Sequence, residues 1–314
     1  ISESGNCRAA RHDSEHTGRS KSEGPSNPMV AGTHTTGDNV VSSAIMDSAK
    51  NICIGGDDNR LRVISSTGAL AWSYLGAGDI SSSPAINASD TVHIASEDGQ
   101  LYAFNSVGSL KWSYLVGGAL QSSPAIDYDS NIYIGGSDDN IYAFTSSGAL
   151  LWSYSQGGNG PSSPAIDASG QVYIGALDDR LYVYTSVGSL SWSYTTGGDL
   201  QASPSIDVAI ERAYIGSYDN RVYAFTSTGA LVWSYPTGDD IYSSTAIGES
   251  GDICVGSRDN NLYVLSPIGT LSWSYLAAAN IDSSPATDVN RMVYFGAQDN
   301  LIYALSSICA LTWS

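Results

Sequence analysis

Lysine is almost absent from this chain: Lys21, Lys50 and Lys111 are the only three in 314 residues. Charged residues of all kinds make up 14%, against about 25% in an average globular protein. What charge there is has one sign. The formal net charge is −18, and residues 40–314 hold 26 of the acidic groups against 9 basic ones. Such a surface repels nucleic acid and anionic membranes at long range, so neither is an expected partner. No apolar run reaches 18 residues, so no membrane insertion is expected. The four cysteines, Cys7, Cys53, Cys254 and Cys309, form no CxxC pair, which argues against a zinc site. There is no phosphate-binding glycine loop, no nucleophile–base set and no metal cluster, so no enzyme, cofactor or metal is expected.

What the sequence does hold is a period. Its seven tryptophans are Trp72, Trp112, Trp152, Trp192, Trp233, Trp273 and Trp313, 40 residues apart except for one step of 41. Each is followed by Ser, and the first six by Ser-Tyr. A tandem repeat explains this, and a single core does not. The third repeat shows the unit: Gln121-Ser-Ser-Pro-Ala-Ile-Asp127, Asn131-Ile-Tyr-Ile-Gly135, Asn140-Ile-Tyr-Ala-Phe-Thr145 and Leu150-Leu-Trp-Ser-Tyr154. These are four apolar runs of strand length, rich in Ile and Tyr. An aspartate pair such as Asp58-Asn59, Asp98-Gly99 or Asp138-Asp139 separates the second run from the third, and a glycine such as Gly68 or Gly108 separates the third from the fourth. Both suit tight hairpins, because these residues accept positive φ at low cost. Cys309 replaces that glycine in the seventh repeat.

Four antiparallel strands per 40 residues is the blade of a β-propeller. The expected fold is therefore all-β: a seven-bladed β-propeller of four-stranded antiparallel blades spanning 35–314. Residues 1–34 read as an irregular N-terminal arm, with four of the thirteen basic residues, three of the four histidines and no Trp. Its end rejoins the pattern, since Thr35-Thr-Gly-Asp-Asn-Val40 parallels Thr195-Thr-Gly-Gly-Asp-Leu200. Met29–His34 falls where an eighth fourth strand would lie, and it is expected to add to the last blade or to a neighbouring molecule.

The repeated unit Ser-Ser-Pro-Ala-Ile-Asp, Val-Tyr-Ile-Gly, Asp-Asp-Arg-Leu-Tyr and Gly-x-Leu-x-Trp-Ser-Tyr resembles the pyrroloquinoline-quinone-like (PQQ-like) propeller repeat. The arm segment Cys7–Ser20 is similar to the stretch that often precedes the first blade in that superfamily. The resemblance covers nearly the whole chain and implies the fold, with the Trp docked between blades. It implies less about function, because the superfamily holds quinone-dependent dehydrogenases and many non-enzymatic propellers. One of the latter is an eight-bladed lipoprotein scaffold of bacterial outer-membrane protein assembly. Two departures count against the dehydrogenases: seven blades instead of eight, and no adjacent cysteine pair to cover a quinone.

His12 and His16 share the arm with Cys7, but loop-forming neighbours disfavour a metal site. His93, Cys53 and Cys254 each replace a second-strand Tyr and read as packing positions. Asp127-Tyr-Asp-Ser-Asn131 alternates oxygen ligands as calcium loops do, yet only one repeat has it, so a hairpin turn is the simpler reading. Cys309 lies at a turn of the last blade, near which the arm is expected, so a Cys7–Cys309 disulfide is predicted, and with it an oxidising compartment. Asn87-Ala88-Ser89 is a candidate glycosylation acceptor at a predicted surface turn. The chain begins with Ile1, as a processed or trimmed product would. The expected function is a non-catalytic extracellular or periplasmic scaffold that binds a protein partner or self-assembles, a filament included. A glycan-binding, lectin-like propeller is the first alternative and a degenerate quinoprotein dehydrogenase the second.

Overall fold

The computed structural model describes Asp13, His16, Thr17, Arg19, residues 33–158 and residues 162–314. Among them there are 28 strands and no helix. The strands form seven four-stranded antiparallel sheets in strict sequence order, from β1–β4 in the first to β25–β28 in the last. The observed fold class is thus the expected one, all-β with seven propeller blades. The chain resolves into two compact units, 1–14 with 29–166 and 186–188, and 15–28 with 167–185 and 189–314. Sheets one to three belong to the first unit, and sheets five to seven belong to the second with β14–β16 of the fourth.

The third sheet shows how residues dictate the blade. Its strands are β9 (Ala125–Ile126), β10 (Ile132–Gly135), β11 (Asn140–Phe144) and β12 (Leu150–Ser155). β9 is short because the residues ahead of it hydrogen-bond elsewhere: the Ser122 hydroxyl accepts from Gly135 N–H at 3.0 Å, and Pro124 has no N–H to give. β10 is buried on both faces, as a strand covered on both sides must be. β12 is the exposed edge. The register slips between Ala143 and Phe144, which pair with Trp152 and Leu150 and leave Leu151 as a bulge. The same slip recurs in the other six sheets.

Neighbouring sheets within a unit share apolar clusters. Ile45, Leu61 and Val63 of the first sheet pack with Ile94 and Phe104 of the second. Cys254 and Val264 of the sixth pack with Val293 and Phe295 of the seventh. The fourth-strand Trp of each of the first five sheets reaches the next sheet. The Trp72 ring lies 5.8 Å from Phe104, and its indole N–H donates to the Ser106 carbonyl at 3.1 Å. Trp112, Trp152, Trp192 and Trp233 repeat that bond to Ser146, Ser186, Ser227 and Pro267.

The paired serines act in two tiers. The first of each pair clamps its own blade, as Ser82 does by donating to the Ala95 carbonyl and accepting from Ala95 N–H. The second joins blades: Ser43 N–H donates to the Ser83 hydroxyl, Ser83 N–H to Ser123 and Ser123 N–H to Ser163, each at 2.9 Å. In the second unit Ser203 N–H donates to Ser244, and Ser244 N–H to Ser284.

Of the arm, Thr17 and Arg19 are placed. The Thr17 carbonyl accepts from Ile247 N–H at 2.7 Å, and Arg19 forms a parallel bridge with Thr287. These partners lie in β21 (Ala246–Ile247) and β25 (Ala286–Thr287), the first strands of sheets six and seven. Thr17 and Arg19 therefore dock at first strands. Of the expected Met29–His34 strand, Met29–Gly32 lie outside the described residues, and Thr33 and His34 are exposed coil.

Candidate functional site

At the hairpin between second and third strands the chain takes positive φ at the second residue of each Asp pair, for example 63° at Asn59, 64° at Asp139 and 70° at Asn260. The first Asp of each pair is a structural hub. Asp98 accepts from the Tyr102 hydroxyl at 2.8 Å, from Gln100 N–H at 2.9 Å and from Ala77 N–H of the preceding linker at 3.1 Å. Asp219, Asp259 and Asp299 make the same kind of bond to Tyr223, Tyr263 and Tyr303. In the first blade Arg62 replaces the Tyr and pairs with Asp58. That guanidinium holds the Asp58 carboxyl down at about 2. The aspartates spend most of their hydrogen bonds on the fold, and Oδ1 of Asp178 and of Asp219 is buried without a partner among the described residues.

Directly before this constant Asp stands a residue that never repeats: Asp57, Glu97, Ser137, Leu177, Tyr218, Arg258 and Gln298. Its backbone is fixed, because the N–H donates to a carbonyl of the preceding linker, as Glu97 does to Asp79 and Arg258 to Asp240; for Leu177 that linker lies outside the described residues. Its side chain is left to vary. A second varied row, Val41, Ser81, Gln121, Pro161, Gln201, Tyr242 and Asp282, precedes the serine pairs; Pro161 lies outside the described residues.

The two rows touch. In the first unit Glu97 accepts from the Ser81 hydroxyl at 2.7 Å and from Gln121 Nε2 at 3.2 Å. In the second unit the contact is richer. Arg258 Cζ lies 3.7 Å over the Tyr242 ring, whose centroid is 4.7 Å from that of Tyr218. Arg258 Nε donates to Asp282 Oδ1 at 3.1 Å, and Gln298 Nε2 donates to Asp282 Oδ2 at 2.7 Å. A half-buried guanidinium stacked on an aromatic ring is a typical anchor of protein interfaces. Around these rows the carboxylates repel one another. Desolvation, and then Glu97, Asp57 and Asp38, raise the Asp79 carboxyl. Desolvation, followed by the hydrogen bond and charge of Asp179 and the charge of Asp178, does the same to Asp199.

The family described as outer membrane protein assembly factor BamB matches residues 57–167 and 137–243, together more than half of the sequence. The chain belongs to that family. Its fold is also that of the crystal structure of BamB from Moraxella catarrhalis, with a TM-score of 0.71, 18% identity and 85% of each chain covered. No curated protein matches the chain.

On this BamB-family frame the other residues singled out in the sequence take up their places. Trp72, Trp112, Trp152, Trp192 and Trp233 spend their indole N–H groups on the neighbouring turn. Trp273 and Trp313 are half-buried on their fourth strands. His93 is fully buried 5.7 Å from the Trp112 ring. Burial, and then the nearby Lys111 ammonium, push it down to about 3, so it is neutral. Asp127 accepts from the Asn131 side chain and the Tyr133 hydroxyl, closing a turn. Asn87 is 7% exposed, and its carbonyl accepts from Ser89 and Thr91 N–H. The sequon asparagine thus lies inside the turn, where the sequence reading places it at the surface. Cys53 and Cys254 are buried, and burial raises both thiols to about 12. The Cys309 sulfur lies 3.3 Å from the Ser274 carbonyl. Cys7 and His12 lie outside the described residues. No group of three or more His, Cys, Asp or Glu among the described residues could hold a metal ion, and no helix is long and apolar enough to cross a membrane.

The varied rows escaped the sequence reading because each hairpin looks short and similar by itself. Aligning the repeats by position would have revealed them: one column is constant Asp, and the column beside it has seven different residues.

Proposed function

We propose that this chain is a non-catalytic, protein-binding scaffold that works outside the cytoplasm, secreted or in the periplasm, and that it recognises its partner through the varied rows. One observation carries this reading. Seven constant aspartates hold seven different side chains at one end of the sheets, with Tyr218, Tyr242, Arg258, Asp282 and Gln298 assembled into one cluster. A single irregular partner surface needs such variety, whereas a lectin working by avidity needs like sites. Membership of a family described as an assembly factor supports the same reading.

A photo-cross-linking residue placed at Gln298 is expected to capture a discrete partner in the native cell, and the same residue at the exposed turn position Val187 is not. Equal capture at both sites would sink the assignment of the rows. Turnover of alcohols or sugars on adding PQQ and calcium would sink the non-enzymatic reading.

Self-assembly is a second route for the same scaffold, favoured by the exposed leucines of the fourth strands, such as Leu115 at 64% and Leu276 at 67%. Light scattering that returns the monomer mass at all concentrations removes it. A disulfide from Cys7 to Cys309 belongs to the extracytoplasmic reading, and peptide mapping without reductant tests it.

A further inference from the structure

Five blades place a ring from the second strand against the fourth-strand Trp. His93, Tyr133, Tyr173, Tyr214 and Tyr294 stand 5.7, 5.8, 5.9, 5.7 and 6.1 Å from Trp112, Trp152, Trp192, Trp233 and Trp313. In three of them the Tyr hydroxyl also donates to the Asp that ends the first strand: Tyr133 to Asp127, Tyr173 to Asp167 and Tyr294 to Asp288. The sixth blade has lost both partners, with Cys254 in place of the Tyr and Gly248 in place of the Asp. The second blade also departs at both positions, but with His93, still a ring, and Asn87, still a polar side chain; the sixth keeps neither a ring nor a polar side chain.

A third departure lies across from these. Gly108, Gly148, Gly188, Gly229 and Gly269 sit so close to the preceding Trp that a Cβ would fall 2.6–2.7 Å from its ring. At this position the seventh blade carries Cys309, with φ 63°. A Cβ in the glycine's place would crowd the indole of Trp273. The Trp273 N–H, unlike those of Trp72 to Trp233, has no acceptor among the described residues. Beside it lies an open cavity of about 290 Å³ lined by Cys254, Val264, Trp273, Val293, Ile308 and Arg291. The equivalent groove beside Tyr173 and Asp167 measures about 150 Å³. The larger one approaches the roughly 300 Å³ at which ligand pockets begin. Thr17 and Arg19 of the arm seat on Ile247 and Thr287 beside it.

We propose that this cavity between the sixth and seventh blades is a binding site for a phenol-type aromatic ring supplied from outside the chain. The ring would take the place that tyrosine holds in blades three, four, five and seven. It would lie against the Trp273 face and the Cys254 sulfur, a contact that favours aromatic over aliphatic groups. Glu249, Ser250, Asp252 and Arg291 surround the mouth and offer partners for the hydroxyl. The same chemistry could come from a small phenol or from a tyrosine side chain of another protein. The site does not depend on the scaffold reading.

The test titrates the full chain with p-cresol and follows the seven indole N–H resonances, with Trp273→Phe used to assign the signal. The Trp273 resonance is expected to shift with saturation while the other six hold still. The non-aromatic analogue 4-methylcyclohexanol is expected to bind about three- to tenfold more weakly. The double variant Gly248→Asp/Cys254→Tyr refills the cavity with the residues of other blades, and the nearest atom to a Cβ at Gly248 is 3.6 Å away. It is expected to melt no lower than the parent and to lose at least about tenfold in p-cresol affinity. Binding of acetyl-Ala-Tyr-Ala-amide as well as p-cresol assigns the ring to a protein partner, and p-cresol alone assigns it to a small molecule. The proposal is overturned if neither probe binds, if all indoles shift alike, if the cyclohexanol binds as well as p-cresol, or if the refilled variant binds unchanged.

Discussion

A turn glycine laid against an indole ring is a contact that recurs in five blades of this protein. Two substitutions separate its steric and conformational parts. Gly68 has φ +84° and nothing within 4 Å of an added Cβ, so Gly68→Ala should cost only the left-handed penalty, about 1–2 kcal/mol. Gly148 has φ +85°, with Trp112 ring carbon at 2.6 Å from an added Cβ, so Gly148→Ala should add a packing cost of about 1–3 kcal/mol. Urea unfolding of the pair reads the difference, and equal losses would show that the ring yields freely. The ionisable residues make opposite predictions about pH. Asp58 is held at about 2 by Arg62, against an ordinary value of 3.8. Its stabilising share is complete above about pH 4 and is lost as pH falls toward 2. Arg62→Ala should therefore lower the melting temperature at pH 7, with the deficit closing below pH 4. Asp79 is raised by desolvation and by Glu97, Asp57 and Asp38, so its ionised form opposes folding at neutral pH. Asp79→Asn should raise the melting temperature at pH 7, and the gain should vanish in acid. Asn280 already occupies the matching position in the seventh blade.

The blade was legible at the level of its elements because the tryptophan period and the turn residues state strand count and order directly. The Asp pairs fall at the expected hairpins, with positive φ where Asn, Asp or Gly allows it. The first strand was less legible. The run 121–127 looks like seven residues of strand, yet only Ala125 and Ile126 pair, because serine hydroxyls and a proline withdraw the preceding backbone from the ladder. That serine role cannot be read from hydropathy, since a buried Ser looks like a loop Ser in sequence. Its energetic weight can be measured. Ser123→Ala removes the acceptor of the buried Ser83 N–H and should cost about 1–3 kcal/mol, whereas the exposed Ser146→Ala should cost little. The candidate site was half legible. Tyr242, Arg258 and Asp282 carry no motif, and only folding brings residues 40 apart into one cluster. Cys254 and Cys309 each stood out as departures, but that Cys254 shares a cavity with Ile308, the neighbour of Cys309, follows from the order of the sheets.

For the whole molecule the dominant quantity is a net charge of −18 carried by few charges. Self-repulsion of this size weakens the compact state and is screened by salt. Raising NaCl from about 10 to about 150 mM shortens the screening length from about 30 to about 8 Å. The melting temperature should rise over that range. A flat response would show that the acidic rows are neutralised by their own hydrogen bonds. The bulge that recurs beside every fourth-strand Trp has a consequence for colloidal behaviour. Soluble sheet proteins commonly guard their edges with lysine, and of the two described lysines, Lys50 and Lys111, only Lys111 lies on an edge strand. In its place every edge carries a kink, formed at Ala71, Lys111, Leu151, Ser191, Val232, Ser272 and Thr312. A flat incoming strand cannot follow such a bend over its whole length. Protection against amyloid-like stacking is thus written into backbone geometry instead of charge, so it should persist at the acid and high-salt conditions where electrostatic guards fail.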